Sequence, residues 1–359
     1  MSKMAGTTII DRYIGSTIVF GVLMSLAGFL ALSVFISFIS ELDNTDENYV
    51  VWDAIRYVIY GVPELATEMV PVAMLIGTIM GLGNLAANSE LIVLRASGMS
   101  MWRMGFAVAL TGAAIGFGHY LIADFVAPLG SQQARLIKAE ARGGDVGTRL
   151  AGSLWFRDGS KVIQFRDLDS AQSIGRVEIF GLNSYATLDM AGQAERVTHE
   201  GQLWMLSDWK ATHFADDEAE IIANPSKVWD TEVTPEFLSL LVVNPDEFSA
   251  FGLYKYIRYL RRNDLQSDEY QLALWKKILA PLSVIFMGLL ALPFVFGPMR
   301  SSAVGQRLAI GIMLGLTYYM FNKIVADAGY VFGLQPFWAA ILPFSILVLV
   351  SVFAVSRSQ

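Results

Sequence analysis

Residues Pro71 to Gly105 read PVAMLIGTIMGLGNLAANSELIVLRASGMSMWRMG. The stretch begins as an apolar run fit to cross a bilayer. It then becomes a short amphipathic segment with a few charges and turns back into a second apolar run. Asn88 or Ser89 is placed to cap a short helix whose first turn holds Glu90. Leu91, Ile92 and Leu94 give that helix an apolar side, and Gly98 supplies the stop. The pattern predicts a re-entrant elbow on one membrane face. One reading is an ordinary loop helix lying on the membrane. The other is a coupling helix that sits in a groove of a partner, with Glu90 and Arg95 making polar contacts.

The rest of the chain supports a membrane setting. It has 359 residues, 54% hydrophobic and 16% charged, against about a quarter charged in soluble domains. Mean hydropathy is +0.47. The apolar residues form long blocks, and a bilayer core needs roughly 20 residues of helix. Six spans are predicted, at about Ile14–Ser40, Asp53–Gly83, Met104–Ala127, Ser267–Phe296, Leu308–Gly329 and Pro336–Val355. Pro63 and Pro71 predict irregularity in the second. The first block is too long for a cleaved signal peptide and reads as a retained span.

Between the third and fourth spans the character changes at Pro128. SLWFRD and KVIQFRDL flank Asp158-Gly159, a hairpin signal. GRVEIFGLN, ERVTH, QLWMLSDWKATHF and KVWDTEV continue the pattern, with Glu200-Gly201 as a further turn. Short strands without intervening helices predict a sandwich or jelly-roll-like domain over residues 128–266. It ends in an amphipathic helix, Ser249 to Arg262, with Phe251, Leu253, Tyr254, Ile257 and Leu260 as its apolar positions. The predicted organisation is spans one to three with the elbow helix at about residues 84–98, the β domain, and spans four to six over residues 267–359.

Lys3, Arg12, Arg95, Arg103, Arg300, Arg307 and Arg357 fall on one face. The first loop on the other face carries Glu41, Asp43, Asp46 and Glu47 and no base. Basic short loops stay inside, so both termini and the elbow are expected in the cytoplasm and the β domain outside it. Lys276 and Lys277 sit at the outer end of span four, where they can snorkel or meet an anion.

The net charge of −7 argues against nucleic-acid binding. No GxxxxGK[ST] loop is present, so the chain does not hold ATP in the P-loop manner. HExxH and GxSxG are also missing, and no metal or cofactor is implied. Cysteine is absent, which excludes disulfides. His119 lies inside a span, and Tyr120 and Asp124 offer it structural partners. Arg135, Lys138 and Arg142 share one helical face beyond span three. They fit either a solvated helix or an anion site suited to phosphorylated headgroups. Span five carries Tyr318, Tyr319, Asn322, Lys323 and Asp327, with a Lys323–Asp327 pair or a cavity-facing Lys323 as alternatives.

Several ordered motifs resemble the LptF/LptG family of lipopolysaccharide export permeases. They are DRYIG at Asp11 to Gly15, LGNLAANSELIVLRASG at Leu82 to Gly98 and VAPLGSQQAR at Val126 to Arg135. FGLYKYIRYL, YQLALWKKILAPLSV and FGPMRS at Phe296 to Ser301 follow. The helix before span four and the FGPMRS loop look more like the LptG branch than the LptF branch. The resemblance implies a multi-pass protein of the bacterial inner membrane with a periplasmic β-jelly-roll domain, paired with LptF. It implies an LptB ATPase dimer docked below and LptC as a further partner, so the chain itself is no enzyme. Glu90, Leu91, Leu94, Arg95, Ser97 and Gly98 would form the coupling site. Phe35 and Phe38 of span one, with Tyr318 and Tyr319 of span five, would line the lateral gate. Lipopolysaccharide would pass from the outer leaflet through the β domain to a periplasmic bridge.

One departure stands out. LptG-branch relatives carry lysines at the outer end of span one, whereas ISFISELDNTDEN offers Ser37, Ser40, Asp43 and Asn44 and no base. Arg135, Lys138 and Arg142, with Lys323, are expected to contact the headgroup instead. A membrane-anchored scaffold and a secondary transporter are the rival readings. Six spans exceed an anchor's need, and the two halves show none of the repeat a secondary transporter predicts.

Overall fold

The protein is described by a computed structural model. It describes residues 2–46, 48–141, 154–158, 161–165, 173–182, 187–200, 203–214, 219–229, 231, 245–262, 266–296 and 304–357. Arg142, Gly159, Gly201 and most of the FGPMRS loop lie outside these residues.

Helix α1 covers Ser2–Leu42 and α2 Val51–Ala87, joined by a turn in which Asp46 Oδ1 accepts the N–H groups of Asn48 and Tyr49 at 2.9 and 2.8 Å. The short α3 is Glu90–Ala96 and α4 is Met101–Leu121. A π-helical turn at Ile122–Val126 leads into α5, Ala127–Ala141. Past the β domain come α6 (Ala250–Arg262), α7 (Asp268–Phe296), α8 (Val304–Val331) and α9 (Pro336–Arg357). Six of these stretches are long and apolar enough to cross a membrane, the third running from Met101 to Lys138. The change of character at Pro128 therefore falls inside continuous helix. Proline is tolerated in a membrane helix where neighbouring groups satisfy the freed carbonyl.

Helix α2 is the hub: it packs against α1, α5, α7 and α8. Within a bilayer, close packing rather than the hydrophobic effect draws helices together, and small residues allow the closest approach. Gly77 shows this. A Cβ there would lie 2.3 Å from the backbone nitrogen of Val22, and one on Gly21 would lie 2.3 Å from the Gly77 carbonyl oxygen. Glycine lets α1 and α2 cross at this distance, and Gly81 does the same a turn further on, where a Cβ would lie 2.8 Å from the Thr17 carbonyl oxygen. In contrast, 17% of the apolar window of α1 and 11% of that of α8 are buried. These two helices flank α2 and turn broad apolar faces outward.

The inserted domain is one antiparallel sheet of eight strands among the described residues. They are β1 (Leu154–Asp158), β2 (Lys161–Phe165), β3 (Ser173–Ile174), β4 (Val177–Leu182), β5 (Leu188–Ala194), β6 (Arg196–Glu200), β7 (Leu203–Phe214) and β8 (Ala219–Trp229). The order is β1-β2-β4-β5-β7-β6-β3, and β8 pairs along the other edge of β7. The expected membrane bundle with an inserted β domain is thus present. The strands share one hydrogen-bonded sheet rather than two separate ones. Asp208, at φ 54, explains how one sheet encloses a core. Before it Trp204 and Leu206 point inward, and after it Trp209 and Ala211 do, so β7 changes parity there. The strand bends, and both halves close on Ile163, Phe165, Val177, Ile179, Val197 and Trp229. Strand β5, which carries Gly192 under the Trp209 ring, was not legible as a strand: LDMAGQA lacks the β-branched residues that signal one.

Candidate functional site

The elbow is a folded unit. Ser89 occupies the position before α3, but at φ 60 and with no side-chain cap, so the expected cap is not formed. The tight reversal after Ala87 takes Ser89 into the left-handed region, away from the extended backbone that a capping residue adopts. The stop at Gly98 is formed as expected. Gly98 sits at φ 92, its N–H donates to the Arg95 carbonyl at 3.0 Å, and the Met99 N–H donates to the Leu94 carbonyl at 3.2 Å. This is a Schellman closure, which needs a residue that enters positive φ freely. Ser100 then caps α4, its Oγ accepting the Arg103 N–H at 3.2 Å.

The faces of α3 divide cleanly. Leu91 is buried, and Leu94 and Met99 pack on the main core. Ile92 is 44% and Val93 66% exposed, so Ile92 belongs to the outward side rather than the packed one. Ser97 turns its hydroxyl onto the Leu94 carbonyl at 2.7 Å. A cleft of about 350 Å³ lies beside the helix, lined by Ala86, Leu91, Ile92, Arg95, Ala96, Val295 and Phe296. Arg95 is exposed on its rim.

Two contacts across the elbow were not legible in the sequence. Glu90 Oε2 accepts the Tyr13 hydroxyl at 2.7 Å, and Arg103 pairs with Asp11 at 2.7 Å. The foot of α1 therefore touches both flanks of the elbow. Asp11 and Tyr13 lie in DRYIG, but residues some eighty or ninety positions apart carry no periodic signal that joins them. Arg307, at the foot of α8, is buried and donates to the Gly83 carbonyl at 3.2 Å.

At the opposite end of these helices the expected headgroup cations are engaged. Lys138 lies 2.6 Å from Glu41, beneath the rings of Tyr49 and Tyr57 at 5.8 and 5.0 Å. Burial first, and the Glu41 charge second, push the Tyr49 hydroxyl well above its ordinary value, so it stays neutral there. Arg135 pairs with Glu247. Glu64 Oε2 accepts from Ser131 at 2.5 Å. The base that the end of α1 lacks in sequence is thus delivered from α5, but to a carboxylate. Lys323 and Asp327 are both exposed, and among the described residues neither makes an ion pair. Of the expected gate residues, Phe35 is 60% exposed and Phe38 partly so. Tyr319 is partly buried, and Tyr318 turns inward to lie 3.3 Å from Ser283 Oγ.

His119 is buried, but its partner is neither Tyr120 nor Asp124. Its Nε2 is 3.1 Å from the Thr67 carbonyl of α2. Pro71 has no N–H to offer the residue four positions earlier, so this carbonyl needs an external donor. His119 supplies one, which places the ring proton on Nε2. Asp124, buried in the π-helical turn, instead accepts the Ala250 N–H at the start of α6 and lies 3.8 Å from Lys277. The Lys277 ammonium also donates to the Phe248 carbonyl. Lys277 thus meets the anion that its place in span four called for. No metal-binding group of three or more His, Asp or Glu occurs among the described residues.

Comparison with known proteins supplies the context. The family model for "Lipopolysaccharide export system permease LptF/LptG" matches residues 12–357. Over 98% of the chain the sequence is 32% identical to lipopolysaccharide export system permease protein LptG of Escherichia coli K12, covering 99% of that protein. It is 28% identical, at the same coverage of both chains, to the LptG protein of Haemophilus influenzae.

Proposed function

The chain belongs to the lipopolysaccharide export permease family LptF/LptG, and from that premise we propose how it is driven and what it touches. It is a multi-pass inner-membrane permease subunit. Its energy comes from ATP hydrolysed by a partner, an LptB dimer docked against the elbow, and it pairs with an LptF subunit and with LptC. Both termini face the cytoplasm and the sheet faces the periplasm, in keeping with the basic elbow face.

The observation that carries this reading is α3 itself. A seven-residue helix is too short to be stable alone. It is held by Leu91 and Leu94 on one side and presents Ile92, Val93 and Arg95 on the other, beside a cleft. Apolar residues displayed on a braced helix outside the lipid suit a protein groove. Glu90, Leu91, Leu94, Arg95, Ser97 and Gly98 form the coupling unit, the inward residues positioning the outward ones. Closure of the ATPase dimer pushes α3, and α2 and α4 carry the displacement across the bilayer. Lipopolysaccharide enters between α1 of one subunit and α8 of the other, past Phe35, Phe38, Tyr318 and Tyr319, and passes by the sheet domain to the periplasmic bridge. Arg135 and Lys138, with Arg142 and Lys323, meet its phosphates only by exchanging the carboxylates that Arg135 and Lys138 now hold. Drawing acyl chains from a bilayer costs roughly 0.8 kcal/mol per CH₂, beyond thermal reach for several chains.

Because the natural chain has no cysteine, Val93→Cys creates a unique reactive site. In the purified assembly it is expected to crosslink to the co-purifying ATPase subunit through a short bifunctional reagent. Crosslinking to lipid-borne probes instead would place α3 on the membrane surface and overturn the docking.

A further inference from the structure

Helix α6 carries Lys255, Arg258, Arg261 and Arg262 and no acidic residue. All four side chains are exposed, while Leu253, Tyr256, Ile257 and Leu260 are buried. The buried face is fixed firmly. Phe248, Leu253, Ile257 and Ala273 form one cluster. The Phe248 ring stacks on Tyr256 at 5.7 Å, and Tyr256 meets Tyr270 edge-on at 4.5 Å. Burial raises the Tyr256 hydroxyl above its ordinary value.

The placement of α6 gives its exposed face a direction. Its first residue is held by Asp124, and the preceding Phe248 carbonyl is held by Lys277. Its last turn is held where Arg261 donates to Gln271 at 2.7 Å. Helix α6 therefore runs antiparallel to the first turns of α7, starting near Lys277 and ending near Gln271. At a rise of about 1.5 Å per residue, its start lies deeper along the spanning helix than its end. The exposed residues follow that order. Phe251 (64% exposed) and Tyr254 (50%) come first, and the basic groups follow. Lys255 lies 4.6 Å from the Phe251 ring centre and Arg258 4.7 Å from that of Tyr254. Aromatic rings at the membrane interface with cations a turn nearer the water are the arrangement that headgroup contact favours.

The distribution of free charge sharpens the point. At this end of the helices Arg135, Lys138 and Lys277 all lie against carboxylates. Among the described residues none of the α6 cations has an acidic partner. Arg261 is tied to Gln271 of α7, while Lys255, Arg258 and Arg262 stay on the outer face, Arg258 donating at 2.5 Å to the Tyr254 hydroxyl of that same face.

We propose that Lys255, Arg258 and Arg262, with Phe251 and Tyr254 below them, form a docking surface for phosphate-bearing lipid headgroups at the bilayer surface beside α7. The surface concentrates the anionic lipid next to the permease before any cation in the bundle must leave its carboxylate. The inference rests on the export reading in one respect: the α6 end faces the leaflet that supplies the lipid.

The test is photo-crosslinking of the assembled complex in nanodiscs of zwitterionic phospholipid doped with lipopolysaccharide. Benzoylphenylalanine replaces Phe251 in one sample and Phe35, on the outward face of α1, in another. The Phe251 probe is expected to crosslink lipopolysaccharide, with a yield about tenfold lower in the K255Q/R258Q/R262Q variant, since each surface cation contributes several-fold to anionic-lipid binding. Dephosphorylated lipid is expected to give the same low yield without any substitution. A crosslink from position 35 but none from position 251 overturns this inference and leaves the export reading intact. A crosslink from position 251 alone supports the surface and contradicts the lateral path. Capture of a protein subunit at position 251, or a yield indifferent to the three substitutions, overturns the proposal.

Discussion

The Tyr13 hydroxyl donates to Glu90 Oε2 at 2.7 Å, so the foot of the first span holds the first residue of the elbow helix. With the Asp11–Arg103 pair on the other flank, any displacement of α3 reaches α1 directly as well as α2 and α4. One of the two helices with broad outward faces is thereby tied to the elbow.

Removing that hydroxyl tests the connection. Tyr13→Phe keeps the ring and deletes the bond. Hydrogen exchange at residues 90–96 is expected to quicken while the remainder of α1 and α4 is unchanged. Unaltered exchange at the elbow would show that the contact does not hold it.

The stop at Gly98 is a backbone requirement. Gly98→Val forces a β-branched residue into positive φ, at a cost of roughly 1–2 kcal/mol, and undoes the Schellman closure. Gly98→Asn enters that region more readily. Lipopolysaccharide release per ATP hydrolysed should fall severalfold for valine and much less for asparagine. Equal effects would mean that side-chain bulk, not φ, decides.

The His119–Thr67 bond predicts a compensation. His119→Phe leaves the partly buried Thr67 carbonyl without a donor, a loss of up to about 1–3 kcal/mol. Pro71→Ala restores a helical N–H to that carbonyl, so the double variant should be less destabilised than the sum of the two single ones. Thermal unfolding midpoints of the purified assembly measure this. Strict additivity would remove the orphaned carbonyl from the account.

A second cycle concerns Lys138 and Glu41. Breaking a largely buried pair by removing one partner leaves an uncompensated charge. Lys138→Met and Glu41→Gln should each lower the unfolding midpoint, and the double variant should recover part of the loss. If Lys138→Met alone is harmless, the lysine is not committed to Glu41 and is free for a headgroup.

Much of this was legible because membrane helices announce themselves by length and apolarity, and a glycine stop by its place after an amphipathic turn. The six spans, the elbow, Gly98 and α6 follow from such local signals. What escaped was set by contacts across the fold. Ser89 has a capping residue's chemistry, yet the chain reversal takes it to a φ where its side chain cannot cap. Arg135 and Lys138 have the spacing of an anion site, yet Glu247 and Glu41 arrive from other elements to meet them. Thr67 shows no sign of need until Pro71 is read together with His119. The α6 cations were visible as residues, but that none has an acidic partner among the described residues stood out only once the other basic groups were seen to be paired.

The central claim is that the elbow converts a partner's ATP hydrolysis into lipid movement, with Glu90 at the contact. The most direct measurement is the ratio of lipopolysaccharide released to ATP hydrolysed in proteoliposomes carrying the whole assembly, for the natural chain and for Glu90→Lys. The account predicts that the variant assembles and that its release per ATP falls at least tenfold. An unchanged ratio in a fully assembled Glu90→Lys complex would contradict it.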